Sequence, residues 1–326
     1  MRAAWARKVI SRFFRLSMQT IRRRRQSFKA VVGAANVQVE KEKGSSALGL
    51  PLMADKEIVF DRLTTILKSE SGFALENKGG RLLMYTYVGR ERRTFFERSA
   101  EDTEDAMWRR ELRSLVIAAK TGEVAARALP KFRFPGESKS GRKLIVAEAT
   151  IKLDGVMLFG VRNGSMGAME LWTKGGHTEI AKRAEDFAAL GSQDERGARY
   201  EDLLKHSDEK GLTLSFEYEG RHHAFGRVGS IAGAVDKLTL VAARDKISGR
   251  FLTHSELLRF GEVYGVPVVE RKKELEGKSL AEVMKVIRRE EGVEGVVAAV
   301  VGSGHGGKLN FVSFRRGGRG RVFPRT

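Results

Sequence analysis

The sequence predicts an α+β chain in which antiparallel strands dominate. Short apolar segments recur at hairpin spacing, with turn residues between them at Lys120-Thr121-Gly122 and Arg162-Asn163-Gly164-Ser165. Two helical segments, near 178–190 and 199–209, follow one another instead of alternating singly with strands. No internal repeat is present.

In order along the chain, Ile58, Leu63, Ile66 and Leu67 fall at helical spacing after Asp55. Leu82 to Val88 reads as a strand. Glu111 to Leu129 reads as strand, turn and strand, and residues 143–173 as three strands. After the two helices come strands at Leu212–Tyr218 and Leu238–Ala243. Thr253 with Glu256 forms a capping box that opens a further helix, and another starts at Ser279. Strands over Val293–Val301 and Lys308–Phe314 complete the pattern.

The chain has 326 residues, enough for roughly two domains. A hydrophobic content of 41% supports a core, and no apolar run reaches transmembrane length, so membrane insertion is not expected. The absence of cysteine excludes disulfides, thiolate zinc sites and cysteine nucleophiles. Six histidines without H-E-x-x-H spacing argue against a histidine metal cage. A metal here is expected on carboxylates and phosphates, which suits Mg²⁺.

The net charge of +19 calls for a polyanionic partner, nucleic acid above all. Residues 1–39 hold eight arginines, two lysines and no acid, leaving +9 over the rest. In this segment Trp5, Val9, Ile10, Phe13 and Phe14 alternate with basic residues, the pattern of a transit peptide to a mitochondrion or another organelle. Two alternatives fit the same residues. Ile21 to Arg25 suits a nucleic-acid-binding arm of a cytoplasmic or nuclear protein, and Met53 suits a start immediately before a helix. Residues 31–52 read as a linker. Arg315 to Thr326 is an arginine- and glycine-rich tail, expected to lack structure and suited to gripping RNA phosphates.

Lys152-Leu153-Asp154-Gly155 lies between the apolar segments Leu144–Ile151 and Val156–Val161. A lysine held in a tight turn between strands suits a nucleophile, and it equally suits a surface hairpin that contains lysine. Further charged residues follow in order. Lys174 comes after a strand, Glu217 stands between Phe216 and Tyr218, Glu294 precedes Gly295, and Lys308 begins the last strand. Upstream lie Leu112-Arg113-Ser114 and Ala128-Leu129-Pro130-Lys131-Phe132-Arg133-Phe134, followed by Gly136-Glu137. Taken singly, Lys174 and Lys308 read as solvated strand lysines and Arg113 as a structural ion pair. Glu217 points to the face opposite its aromatic neighbours. His222-His223 alternate across a strand and so do not form one metal site.

In this order the segments resemble the covalent nucleotidyltransferases, and most closely the ATP-dependent RNA ligases of the bacteriophage tRNA-repair type. The resemblance spans about Leu82 to Phe314. It rests on K-x-D-G, an aromatic-flanked glutamate, E-G-x-V, a lysine strand and the upstream arginine segment. It implies an antiparallel-sheet nucleotidyltransferase domain, ATP-grasp-like and with flanking helices, over residues 53–314, between a presequence and linker (1–52) and the tail (315–326). It also implies an ATP-dependent ligase that uses Mg²⁺ and joins RNA 5′-phosphate and 3′-hydroxyl ends in repair or processing; it names no protein partner. Lys152 would be the nucleophile that carries AMP. Arg113, Lys131, Asp154, Gly155, Lys174, Glu217 and Lys308 would contact the nucleotide, and Glu217 and Glu294 would serve the metal. Arg113, Lys174, Lys308 and the metal would supply the positive charge around Lys152.

The sequence departs from the family at four places. Val156 and Met157 follow Gly155 where ligases and capping enzymes have an arginine at short spacing. Ser114 stands for a glycine, Arg133 for a phenylalanine and Asn310 for the second lysine of the last motif. The sequence ends shortly after that motif, with no helical C-terminal domain. Asn310 and this ending motivate the alternative of a catalytically impaired RNA-binding relative; an adenylyltransferase that never completes sealing is a further alternative.

Overall fold

The computed structural model describes residues 51–88, 95–96, 103–132, 144–163, 167–191, 198–220, 236–289, 294–302 and 310–315. The basic segment before Pro51, Arg133 to Glu137, His222-His223, Lys308 and the tail beyond Arg315 lie outside these residues, as does the side chain of Asn310. The elements begin with α1 (Lys56–Ser69), β1 (Phe73–Lys78), β2 (Leu82–Tyr87), α2 (Thr103–Glu111), β3 (Leu115–Ala118) and β4 (Val124–Arg127). Then come β5 (Leu144–Lys152), β6 (Val156–Asn163), β7 (Ala168–Trp172), α3 (Glu179–Gly191), α4 (Tyr200–Glu209), β8 (Leu212–Glu219) and β9 (Lys237–Asp245). The last are α5 (His254–Tyr264), a 3₁₀ turn at Lys273–Leu275, α6 (Leu280–Ile287), β10 (Gly295–Gly302) and β11 (Asn310–Arg315). None of the described helices is long and apolar enough to cross a membrane.

The expected α+β, antiparallel class is what the chain adopts. The strands form three antiparallel sheets, in the orders β1-β2-β3-β4, β11-β10-β5 and β7-β6-β8-β9. The first sheet is covered on one face by α1 and α2, through Leu63, Ile66, Trp108 and Leu112 packed with Phe73 and Tyr85. Its other face, with Leu82, Met84 and Val116, packs on Phe159, Val161 and Trp172 of the third sheet. The second sheet buries Val146, Val296, Val300 and Phe314 under Val283 and Ile287 of α6. Each contiguous cluster removes apolar area from water at about 25 cal/mol per Å².

Helix starts follow the chemistry of the exposed N–H groups. Asp55 accepts from Glu57 N and Ile58 N and so caps α1. Thr253 with Glu256 caps α5 as expected, and Ser279 with Glu282 forms a second capping box on α6.

Two elements were not expected. The strand β1 joins the edge of the first sheet, and residues 103–111 form a helix that the sequence pattern did not give, ending at Glu111 where the expected strand was to begin. The reason lies in what α2 buries. Arg109, Arg110 and Glu111 are all buried, so its inner face is partly ionic and hydrophobic periodicity does not register it.

Glu111 is held by two guanidinium forks. Arg127 donates Nε to Glu111 Oε2 (3.1 Å) and Nη2 to Oε1 (2.9 Å). Arg244 donates Nη1 to Oε2 (2.8 Å) and Nη2 to Oε1 (2.6 Å). Remaining guanidinium N–H groups reach the carbonyls of Pro51, Ile247, Ala128 and Gly249 at 2.7–3.1 Å. Burial pushes the Glu111 carboxyl up, but the two arginines outweigh it and hold it at about 2. A buried charge group of this kind is tolerated because every member is hydrogen-bonded. Gly249, at φ 71°, leaves the room it needs, since a Cβ there would lie 2.8 Å from the Arg127 guanidinium.

Candidate active site

Leu153, Asp154 and Gly155 alone separate β5 from β6, the spacing of a tight hairpin, yet the two strands do not pair. β5 pairs with β10 in the second sheet, and β6 pairs with β7 and β8 in the third. The hairpin expected around Lys152 is therefore a crossing between sheets, and it opens a cavity where a hairpin would have closed one. Gly155 is required at this crossing. A Cβ there would meet the Tyr218 carbonyl oxygen at 2.4 Å and the Glu217 Cγ at 3.1 Å.

A carboxylate from each sheet pins the crossing. Glu217 on β8 accepts from the Gly155 N–H at 3.1 Å. Glu294, just before β10, accepts a hydrogen bond from the Lys152 ammonium, which also reaches the Leu153 carbonyl at 3.3 Å. Lys152 and Glu294 are 20% and 17% exposed, so the pair is reachable from solvent yet shielded. The carboxyl of Glu217 is pushed up to about 7 by burial. Lys152, the Gly155 N–H and Arg113 pull it down, and Glu294 adds to the rise.

The cavity beside this cluster has a volume of about 290 Å³. Its lining combines the charged residues Arg113, Lys131, Lys152 and Glu217 and the backbone of Gly155 with the apolar residues Val241, Ala242, Leu252, Leu257 and Val297. Sequence reasoning missed four polar members, Glu148, Thr150, His254 and Ser313. Two of them were findable. Glu148, Thr150 and Lys152 are two residues apart on one strand and so share a face. His254 carries no such signal. It is the first residue of α5, buried, with its backbone N–H toward Glu148 Oε2 (3.3 Å) and Nε2 2.7 Å from the Val269 carbonyl oxygen.

The remaining expected residues lie apart. Lys174 is in a tight turn, not a strand, between Thr173 and Gly176, and it is not among the cavity's lining residues. Its ammonium sits 4.7 Å from the centroid of the Tyr87 ring. Asp154 is also outside the lining and contributes to the field at Glu219, whose carboxyl is raised by burial, lowered by Lys237 and raised by Asp154. Lys308 lies outside the described residues. The nearest partner of Lys152 is thus a carboxylate, with Arg113 and Lys131 as the other described cations of the cavity wall.

Ser114 sits next to Arg113 with φ 112°, the one described non-glycine residue in the left-handed half of backbone space. Its hydroxyl is buried and makes no hydrogen bond. Both features are unfavourable for serine.

Among the described residues no group of three or more His, Asp or Glu side chains is arranged to hold a metal ion. Glu217 and Glu294 nevertheless offer hard oxygen donors near Lys152. That donor set fits Mg²⁺ only with phosphate oxygens and water completing the shell.

No family model matches the chain, and no curated protein matches it. Among solved structures the chain is similar to an archaeal ATP-dependent RNA ligase, at 17% identity and a TM-score of 0.44 over 80% of this chain and 64% of that one. It is similar to a putative ATP-dependent DNA ligase from Aquifex aeolicus, at 14% identity and a TM-score of 0.46 over 80% of this chain and 62% of that one. A third, a Naegleria gruberi RNA ligase mutant with ATP and Mn, shows 17% identity and a TM-score of 0.41 over 59% of this chain and 56% of that one. The chain thus spans less than two thirds of the length of these ligases, and the likeness is one of outline.

Proposed function

We propose that the cavity is the active site of an ATP-dependent RNA ligase that works through AMP carried on Lys152. The observation that supports it most is the crossing itself. A lysine nucleophile candidate is fixed at the junction of two sheets, hydrogen-bonded to one glutamate and three residues before the glycine that a second glutamate holds. Both strands contribute to a cavity lined by cationic, acidic and apolar residues. The apolar residues suit a nucleobase and the cationic ones suit phosphates.

In the first step the Lys152 nitrogen attacks the α-phosphorus of ATP; a nitrogen–phosphorus bond forms and pyrophosphate leaves. An ammonium has no lone pair, so it must first give up a proton, and Glu294 is the acceptor already in contact. Arg113 and Lys131 meet the phosphate oxygens, and the cavity excludes bulk water from the reacting atoms. Glu217 keeps Gly155 and hence Lys152 in place. A divalent ion held by Glu217 and Glu294 would neutralise charge on the phosphates. The AMP then passes to an RNA 5′-phosphate, and a 3′-hydroxyl displaces it to seal the strand.

Incubation with α-labelled ATP and Mg²⁺, followed by addition of nicked or split RNA, tests this reading. Label that becomes acid-labile on protein and then chases into sealed RNA is the expected result. Label that stays on protein in the presence of RNA ends points to the adenylyltransferase alternative, and RNA binding without label to the binding-protein alternative.

A further inference from the structure

We propose that Tyr87 and Lys174, next to Lys131 of the cavity wall, form a second, preformed subsite at the edge of the cavity that seats the backbone of a single-stranded RNA. The ammonium of Lys174 lies 4.7 Å, and that of Lys131 5.9 Å, from the centroid of the same tyrosine ring. Lys131 also lines the cavity, so the subsite is continuous with it. The cation–π attraction of an exposed ammonium, about 0.5–1 kcal/mol, holds Lys174 over the ring without neutralising its charge. A phosphodiester beside it completes the contact.

Each member is held in place by its own structure. Tyr87 is fixed edge-on against Phe95, with centroids 5.0 Å apart. Lys131 N donates to the Arg110 carbonyl at 2.9 Å, and Arg110 Nε donates back to the Lys131 carbonyl at 3.0 Å. The turn that carries Lys174 is closed by paired Thr173–Gly176 backbone bonds of 2.9 Å. It is tied to the first sheet by Thr86 Oγ1 to the Lys174 carbonyl (3.3 Å) and Lys78 Nζ to the Gly175 carbonyl (3.2 Å). Exposed Lys174 makes no ion pair among the described residues. A rigid aromatic between cations is the arrangement by which proteins hold single strands without reading their sequence. The partner class, RNA, rests on the ligase reading of the cavity; the phosphate chemistry does not.

Binding of a fluorescein-labelled, mixed-sequence single-stranded RNA, followed by anisotropy across a KCl titration without ATP or metal, tests the subsite. Lys174→Glu is expected to weaken binding by about tenfold or more at low salt. Lys174→Ala is expected to lower the slope of log K against log salt by about 0.7, one phosphate contact on a single strand. Lys174→Arg should restore both, and Tyr87→Leu should weaken binding with little change in slope. Unaltered affinity and slope in Lys174→Glu overturns the subsite. Loss of the Lys174 dependence when ATP is added, with RNA still bound, also overturns it, by assigning these cations to the nucleotide's phosphates. The same RNA assay on Lys152→Ala separates the two ideas. RNA held through Lys174 by a chain that never takes label refutes the ligase reading alone, and labelled protein indifferent to Lys174→Glu refutes the subsite alone.

Discussion

Glu111 and Glu217 are both glutamates taken out of water among basic side chains, and their carboxyls titrate on opposite sides of the ordinary value. Glu111 stands at about 2 and Glu217 at about 7. Burial raises both; the difference lies in the partners. Two arginine forks saturate all four lone-pair directions of Glu111. Glu217 has one N–H bond and shares Lys152 with a second carboxylate, Glu294. The first cluster is satisfied and static. In the second, Lys152 and Arg113 face two carboxylates and Glu217 has no guanidinium fork, so burial outweighs the cations and the carboxyl stays raised, the state of a functional rather than a structural carboxylate.

The largest expected effect breaks the satisfied cluster. Glu111→Ala leaves two guanidiniums buried side by side and should cost about 3–5 kcal/mol of stability. Urea unfolding reads this directly, and an unchanged midpoint means the triad does not hold the fold.

Glu217→Gln should do the reverse. The folded carboxyl titrates at about 7 against 4.5 for the ordinary group. Between these values the folded chain carries the extra proton. Stability therefore falls as pH rises through this window, and the full penalty applies above pH 7. Glutamine keeps an acceptor for the Gly155 N–H without the charge. The Glu217→Gln variant should be more stable than the wild type at pH 8, by up to about 3 kcal/mol, and no different at pH 4. It should also lose AMP transfer. A variant equally destabilised at both pH values would show that charge is not what Glu217 contributes.

Ser114→Gly sharpens the contrast from the edge of the site. It removes a strained φ and a buried unpaired hydroxyl, each costing on the order of 1–3 kcal/mol, while the unfolded chain gains freedom worth about 0.5–1 kcal/mol. A net gain of about 1 kcal/mol is expected in chemical denaturation. Destabilisation would mean the hydroxyl has a partner that offsets the strain.

The two clusters also differ in how far they could be read from residues alone. Glu217 and Lys152 are conspicuous because strand alternation and K-x-D-G spacing are local signals, and the alternation that turned Glu217 away from Phe216 and Tyr218 also turned it toward the cavity. The pairing of β5 was not legible. Its neighbour in sequence, β6, has suitable spacing, and only the distant β10 supplies the register that takes Lys152 into another sheet. The Glu111 triad was not legible either. It joins residues 16 and 133 apart in sequence, and it sits on a helix whose buried face is charged. Lys174 was expected beside the nucleotide, and the turn geometry that aims it at Tyr87 comes from the Thr173–Gly176 bonds, which no residue pattern announces.

The central claim is that the cluster around Glu217 and Glu294 makes Lys152 a nucleophile. Intact-mass measurement of the wild-type chain after incubation with ATP and Mg²⁺, followed by peptide mapping, tests it most directly. The expected result is a single added adenylyl group, located on Lys152, lost on treatment with acid and absent from folded Lys152→Ala. An adenylyl group on any other residue, or undiminished labelling of Lys152→Ala, would contradict it.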